Sequence, residues 1–122
     1  MDKVIVNLLK LQNQFKILHW QTLSYAAHKA FGNAYKDLDE LIDRLVEVHQ
    51  GKYGRLTFET PIDFNLVNQD EIDLEDILLQ LNNYLTNTFN EMHDSVKDVD
   101  CFAIRDEILI VINKLRYLLT LK

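Results

Sequence analysis

Residues 19–47, HWQTLSYAAHKAFGNAYKDLDELIDRLVE, decide how the chain reads. From Ser24 onward the apolar residues recur at helical spacing, with Ala34, Leu38, Leu41, Leu45 and Val48 on one face. Ser24 suits the N-cap, because its hydroxyl can accept an amide of the first turn, and Gly51 supplies a stop. Asp43 and Glu47 stand four residues apart, one above the other on such a helix, and can reach one ion. Leu41, Ile42, Leu45, Val46 and Val48 flank them, so the face is expected to be partly buried. Two unpaired carboxylates there would repel each other and be costly to desolvate, and a cation would remove the problem. His28 lies fifteen residues before Asp43, roughly 22 Å along the helix axis at 1.5 Å per residue. One straight helix therefore cannot bring them to a shared metal. Two copies packed antiparallel about a two-fold axis can, crossing near Tyr35 to Leu38 and giving two equivalent sites per dimer.

Each of these residues also has an ordinary structural reading. His19 beside Trp20, or His28 alone, is more often a hydrogen-bonded histidine near a core aromatic than a ligand. Asp43 and Glu47 are more often a solvated face paired with a cation such as Arg44 or Lys36. The joint register favours the metal reading. Asp39, one turn before Asp43, reads as an exposed acid.

Working outward, Val4, Leu8, Leu11, Phe15 and Leu18 alternate in steps of four and three. This predicts helix A from about Asp2, as N-cap, to about Thr22. The connection to helix B is then short, the two helices are antiparallel, and His19 and His28 fall at the same end of the hairpin. Residues 51–72 hold two of the three glycines and the only proline, Pro61, with no sustained helical period. This predicts a long connection, with a short strand-like or helical piece near Leu66. Helix C opens in a cluster of acids, Asp70 to Asp76, favourable at the positive end of a helix dipole. Its expected stripe is Ile77, Leu81, Leu85, Thr88, Met92 and Val96. Helix D, capped by Asp98 or Asp100, carries Ile104, Ile108, Val111, Leu115 and Leu118. The run ILIVI at 108–112 also fits a buried strand, but its continuation into NKLRYLLTLK favours a helix that serves both the core and subunit packing.

The pattern His19-Trp20, His28, Asp43 and Glu47 resembles the ferroxidase motif of the Dps-like mini-ferritins, in which the site lies between two subunits. The interval from His28 to the two acids matches that family's register, while the interval from His19 to His28 is shorter. Gly32 stands where the family usually carries an acidic ligand, and Val48 where an Arg often follows the Glu. The chain is short for the family and is similar to small ferritin-like proteins encoded by some phages. The motif covers residues 19–47 only. The resemblance implies an all-α, four-helix ferritin-like bundle in one domain, residues 1–122, with one long crossover between helices B and C. It also implies iron as the bound metal and His19, His28, Asp43 and Glu47 as ligands, with Trp20 as a shield or electron relay. The implied reaction is oxidation of Fe(II) to Fe(III) by hydrogen peroxide or oxygen, serving iron storage or peroxide detoxification if a closed shell forms. Ligand chemistry alone admits Zn(II) or Mn(II) as well. The opposing reading is a non-catalytic helical-bundle interaction protein that dimerises through helices A and B.

Composition narrows the remaining classes. At 122 residues the chain is one domain with room for one core, and its 48% apolar share fits a globular protein. The formal charge of −6 argues against a protein that grips nucleic acid, and no basic tail precedes helix A, so no nucleic-acid-binding residues are assigned. No leader or membrane-spanning run is apparent, so a cytoplasmic location is expected, the host cytoplasm if phage-encoded. A lone cysteine, Cys101, is expected to pack. His49 and His93 belong to no recognisable constellation. No Glu-x-x-His occurs, so a di-iron site within one bundle is not supported.

Overall fold

A helix starts where its first amides find acceptors and stops where the backbone leaves the right-handed region. The computed structural model describes residues 1–121. In it α1 spans Asp2–Gln21 and α2 spans Tyr25–Tyr53. Met1, not Asp2, takes the cap position of α1, and Asp2 lies in its first turn. The Ser24 hydroxyl accepts the Ala27 amide at 3.2 Å, as its type and position require. The stop of α2 is corrected. Gly51 lies inside the helix, and the chain leaves it at Gly54, whose φ of 90° suits glycine alone.

Three further helices follow: α3, Leu74–Thr86; α4, a short Thr88–Met92; and α5, Val99–Leu118. A single 3-10 turn, Gln69–Glu71, precedes α3. The described residues hold no strand, so residues 108–112 are helical. The expected stripe of helix C is corrected too. Leu78, Leu81, Leu85 and Phe89 are buried, whereas Met92 and Val96 are exposed. The cause is a break at Asn87. The Thr86 hydroxyl bonds the carbonyls of Asn82 and Asn83; Phe89, four residues after Leu85, continues the buried face into the short α4, which ends at Met92. On α5, Ile112 replaces Val111 in the core, beside Ile104, Ile108 and Leu115.

Side-chain pairs fix the directions. Tyr53 meets Asp98 and Arg44 meets Glu107, so α5 runs antiparallel to α2. Glu75 meets Arg116 and Asn82 meets Asn113, so α3 also runs antiparallel to α5. Residues 54–73 must therefore travel back along the bundle, and two glutamines of α1 hold them. The Gln14 amide donates to the Val67 carbonyl at 2.8 Å and accepts the Val67 amide at 3.0 Å. Gln21 binds the Asn68 side chain and the Gln69 amide in the same way. The Gln14 amide stands in for the edge of a strand, which is how it remains buried with both polar atoms satisfied.

The core joins α1, α2, α3 and α5 around Phe15, Leu38, Leu45, Leu85, Phe89 and Ile108, and Cys101 packs within it. Extensive packing joins α1 to α2 and α2 to α5, but α1 and α3 barely touch. Among the described residues no helix is long and apolar enough to cross a membrane.

Candidate functional site

Only three residues separate α1 from α2, so His19 and His28 meet at the turn. The His19 Nδ1 lies 2.6 Å from the His28 carbonyl oxygen, and the His28 Nδ1 lies 2.7 Å from that of His19. A carbonyl can only accept, so each Nδ1 carries a proton and donates it. In the neutral ring the lone pair then resides on Nε2. Among the described residues neither Nε2 has a hydrogen-bond partner, and neither is a buried orphan, so both open to solvent. The His19 carbonyl is one of the last four of α1 and lacks a helical donor, so His28 caps α1 while fixing its own ring. The two rings stack with centroids 3.8 Å apart at 15°, and Tyr35 meets His19 edge-on at 5.5 Å.

Gly32 makes this stack possible. A Cβ at that position would come within 2.9 Å of His19 Cε1 and 3.1 Å of its Nδ1. The imidazole of His19 occupies the space through which any side chain at position 32 would leave the helix.

The carboxylates stand elsewhere. Asp43 and Glu47 are exposed, further along α2, and have no ion-pair partner among the described residues. Helical geometry nevertheless puts His28, Gly32, Tyr35, Asp39, Asp43 and Val46 on one stripe of α2, with Glu47 at its edge. Asp39 accepts a bond from Gln12 at 2.9 Å, and Lys16 lies over the Tyr35 ring. Within one chain, no three potential ligands among the described residues come together. The imidazole pair alone converges poorly on one ion, since its in-plane lone pairs lie in two nearly parallel planes. Trp20 is 69% exposed and stacks on neither imidazole, so it stands beside the pair with Leu23 and Tyr25, both exposed as well.

A second polar cluster, missed by the sequence reading, closes the other end of the bundle. Asp98 is 2% exposed. Its carboxylate accepts the Tyr53 hydroxyl and the Asp94 amide, and Lys52 lies 3.4 Å away while also bonding Asp100 and the Lys97 carbonyl. The Tyr53 hydroxyl first, then the Asp94 amide and Lys52, hold the Asp98 carboxyl down at about 2. Nearby, the His49 Nδ1 is buried without a partner, and burial, with the N-terminal amine and His93, pushes its pKa down. Only the Asp94 to Asp98 spacing hints at this knot in the sequence. Asp94 accepts the amides of Val96 and Lys97 at 2.8 Å, an Asx-type turn that presents its own amide to Asp98.

A family of unknown function, DUF5856, matches residues 19–119, from His19 almost to the end of the described chain. The chain belongs to this family. It is also 28% identical over 121 residues to an uncharacterized 14.6 kDa protein in the mobD-ri intergenic region of Enterobacteria phage T4, covering 99% of this chain and 88% of that protein. No solved structure matches the chain.

Proposed function

We propose that the chain is a reduced ferritin-like protein that takes Fe(II) between two copies of itself. His19 and His28 come from one copy, and Asp43 and Glu47 from the other. The observation that carries this is the reciprocal anchoring of the two imidazoles. An Nδ1–H held by a carbonyl fixes the tautomer and turns a basic Nε2 outward, the arrangement usual for metal-ligating histidines. The common stripe on α2 supports the rest, because an antiparallel partner crossing near Tyr35 lays His28 against Asp43 and Glu47. Imidazole with carboxylate suits Fe(II), while Zn(II) and Mn(II) satisfy similar ligands. The long return of residues 54–73 agrees with a ferritin-like crossover. In the reaction, two Fe(II) ions each give up one electron to become Fe(III), and hydrogen peroxide accepts both, with two protons from solvent, as its O–O bond breaks to give two waters; oxygen accepting the same two electrons and two protons is reduced to hydrogen peroxide. A larger shell in the host cytoplasm, storing the ferric product, is what the mini-ferritin resemblance implies.

A mixed-dimer experiment tests the site. His19→Ala/His28→Ala and Asp43→Asn/Glu47→Gln homodimers should each lose metal at both sites. Refolded together, the heterodimer keeps all four native ligands at one site and recovers up to half the capacity. If heterodimers form and bind no more iron than the separate variants, the shared site is wrong.

One observation favours a second reading. The exposed cluster Trp20, Leu23 and Tyr25, on a chain whose described residues bring no three potential ligands together, suits a non-catalytic interaction protein. Metal-free purified protein that leaves Fe(II) oxidation at the buffer rate would establish it.

A further inference from the structure

Because α1 and α3 barely touch, a groove of about 560 Å³ opens between them, floored by Leu11, Ile72, Ile77 and Leu81. A second depression, about 380 Å³, continues it past the shared residues Asn7 and Tyr84 toward the start of α1 and the loop at Pro61–Asp63. Charge along this channel is one-sided. Asp2, Glu59, Asp63, Glu71, Asp73 and Asp76 line it against only Lys3 and Lys10. Beyond Asp2, which meets the N-terminal amine, none of these carboxylates has an ion-pair partner among the described residues. From Asp2 to Gln14 the α1 wall runs about 18 Å, close to three helical turns at 5.4 Å each. An apolar floor between two helices with charged rims is the receptor half of helix-in-groove recognition.

We propose that this groove receives a cationic amphipathic helix of a partner protein, about three turns long, with its apolar face on the floor and its Lys or Arg residues against the acidic rims. A second copy of this chain is the wrong occupant, because at a formal charge of −6 it would bring further carboxylates to six already unpaired or nearly so. The groove lies on the side of α1 that faces α3, away from the metal stripe, so this inference is independent of the iron reading.

Two 14-residue helical peptides with the same leucine face, one with lysines and one with glutamates on the polar face, are titrated into the full ¹⁵N-labelled chain. The lysine peptide should bind and shift amides around Asn7, Leu11, Ile72, Leu81 and Tyr84, and the glutamate peptide should not. Glu71→Gln/Asp73→Asn/Asp76→Asn should weaken the lysine peptide at least about tenfold. Asn at position 73 still caps α3, where Asp73 accepts the Asp76 amide at 3.2 Å, so the fold is kept. Lys10→Glu should tighten binding. Neutralising Asp37, Glu40 and Asp106, all exposed and remote from the groove, should change little. The proposal is overturned if both peptides bind alike, if the remote neutralisation weakens binding as much, if the shifts scatter over the surface, or if diluting the chain alone shifts the amides around Asn7, Leu11 and Tyr84, which would show the groove filled by a second copy.

Discussion

At the α1–α2 turn His19 and His28 each commit one ring nitrogen to a backbone carbonyl and leave the other to solvent, whereas at the opposite end Asp98 commits both carboxylate oxygens within the chain. Both ends join helices through polar side chains, but His19 and His28 are neighbours across one turn, whereas Tyr53 and Asp98 meet from distant parts of the chain. The difference lies in what remains over. A buried carboxylate with all its partners made acts as a fastener, and removing any member leaves the others short. A paired histidine with an outward lone pair is fastened and still has a ligand to offer. Residue type does not separate the two roles; the count of unsatisfied atoms does.

The sharpest way to break the comparison is at the fastened end. Phe89 is fully buried there, stacked on His93 at 3.9 Å and edge-on to Phe102. Phe89→Ala should cost about 3–5 kcal/mol in urea unfolding, through lost burial and a residual cavity. Metal binding, measured on the protein that remains folded, should be unchanged. A metal defect in this variant would mean that the two ends are coupled.

Gly32→Ala probes the other end and should have a smaller effect. The added methyl collides with His19 and costs about 1–3 kcal/mol as overpacking, offset in part by the roughly 1 kcal/mol by which Ala exceeds Gly inside a helix. The informative change is local. His19 must swing away from the His28 carbonyl, so its Nδ1–H should lose its protected NMR signal, and affinity for Co(II), a spectroscopic stand-in for Fe(II), should fall at least about tenfold. If the signal and affinity survive, Gly32 is not what seats the ring.

Much of the histidine end was legible beforehand because its signals are local. A cap at Ser24 and a short loop place His19 and His28 together on chain geometry alone. Helix α1 and the helical state of residues 108–112 followed from periodicity in the same way. The fastened end was not legible, because Lys52 and Tyr53 meet residues 97–100 only after the chain has crossed the bundle and returned. The stripe expected of helix C held at Leu81 and Leu85 and failed at Met92 and Val96, because continuous periodicity does not show that the helix is interrupted at Asn87 and ends at Met92. The need for glycine at position 32 was not legible, because it depends on where the His19 ring packs.

The pH dependence sharpens the contrast between the ends, since the fastened end should titrate in two windows. Asp98 sits at about 2, below its ordinary 3.8, so the unfolded chain takes up the proton first. Its contribution is full above pH 3.8 and is lost as the pH falls through about 2. Tyr53→Phe removes the largest cause and should move the carboxyl signal of Asp98 up toward 3.8. His49 is likewise depressed, from an ordinary 6.5, and favours its neutral form in the fold. Its contribution is present above pH 6.5 and declines as the pH falls through its lowered folded value. His49→Gln should flatten that upper window and leave the acid one intact. An unchanged stability profile in both variants would detach the knot from acid unfolding.

The smallest effect on stability should come from Asp43→Asn/Glu47→Gln, and it is the most informative about function. Both side chains are exposed and have no ion-pair partner among the described residues, so nothing in the isolated fold depends on their charge. Like charges four residues apart on a helix repel by about 0.2–0.5 kcal/mol, so the metal-free double variant should be equal to the parent or slightly more stable. Adding metal should reverse the order. A ligand that binds only the folded dimer raises its stability by RT ln(1 + [L]/Kd), close to 2.7 kcal/mol at a hundredfold excess over Kd. The parent should therefore gain melting temperature and dimer fraction together with Zn(II), while the variant gains neither. A variant that keeps the full metal-linked rise would leave the histidine pair binding metal without these carboxylates. A metal-free loss beyond about 1 kcal/mol, well outside the usual range for a surface substitution, would show that this face of α2 is covered even before metal arrives.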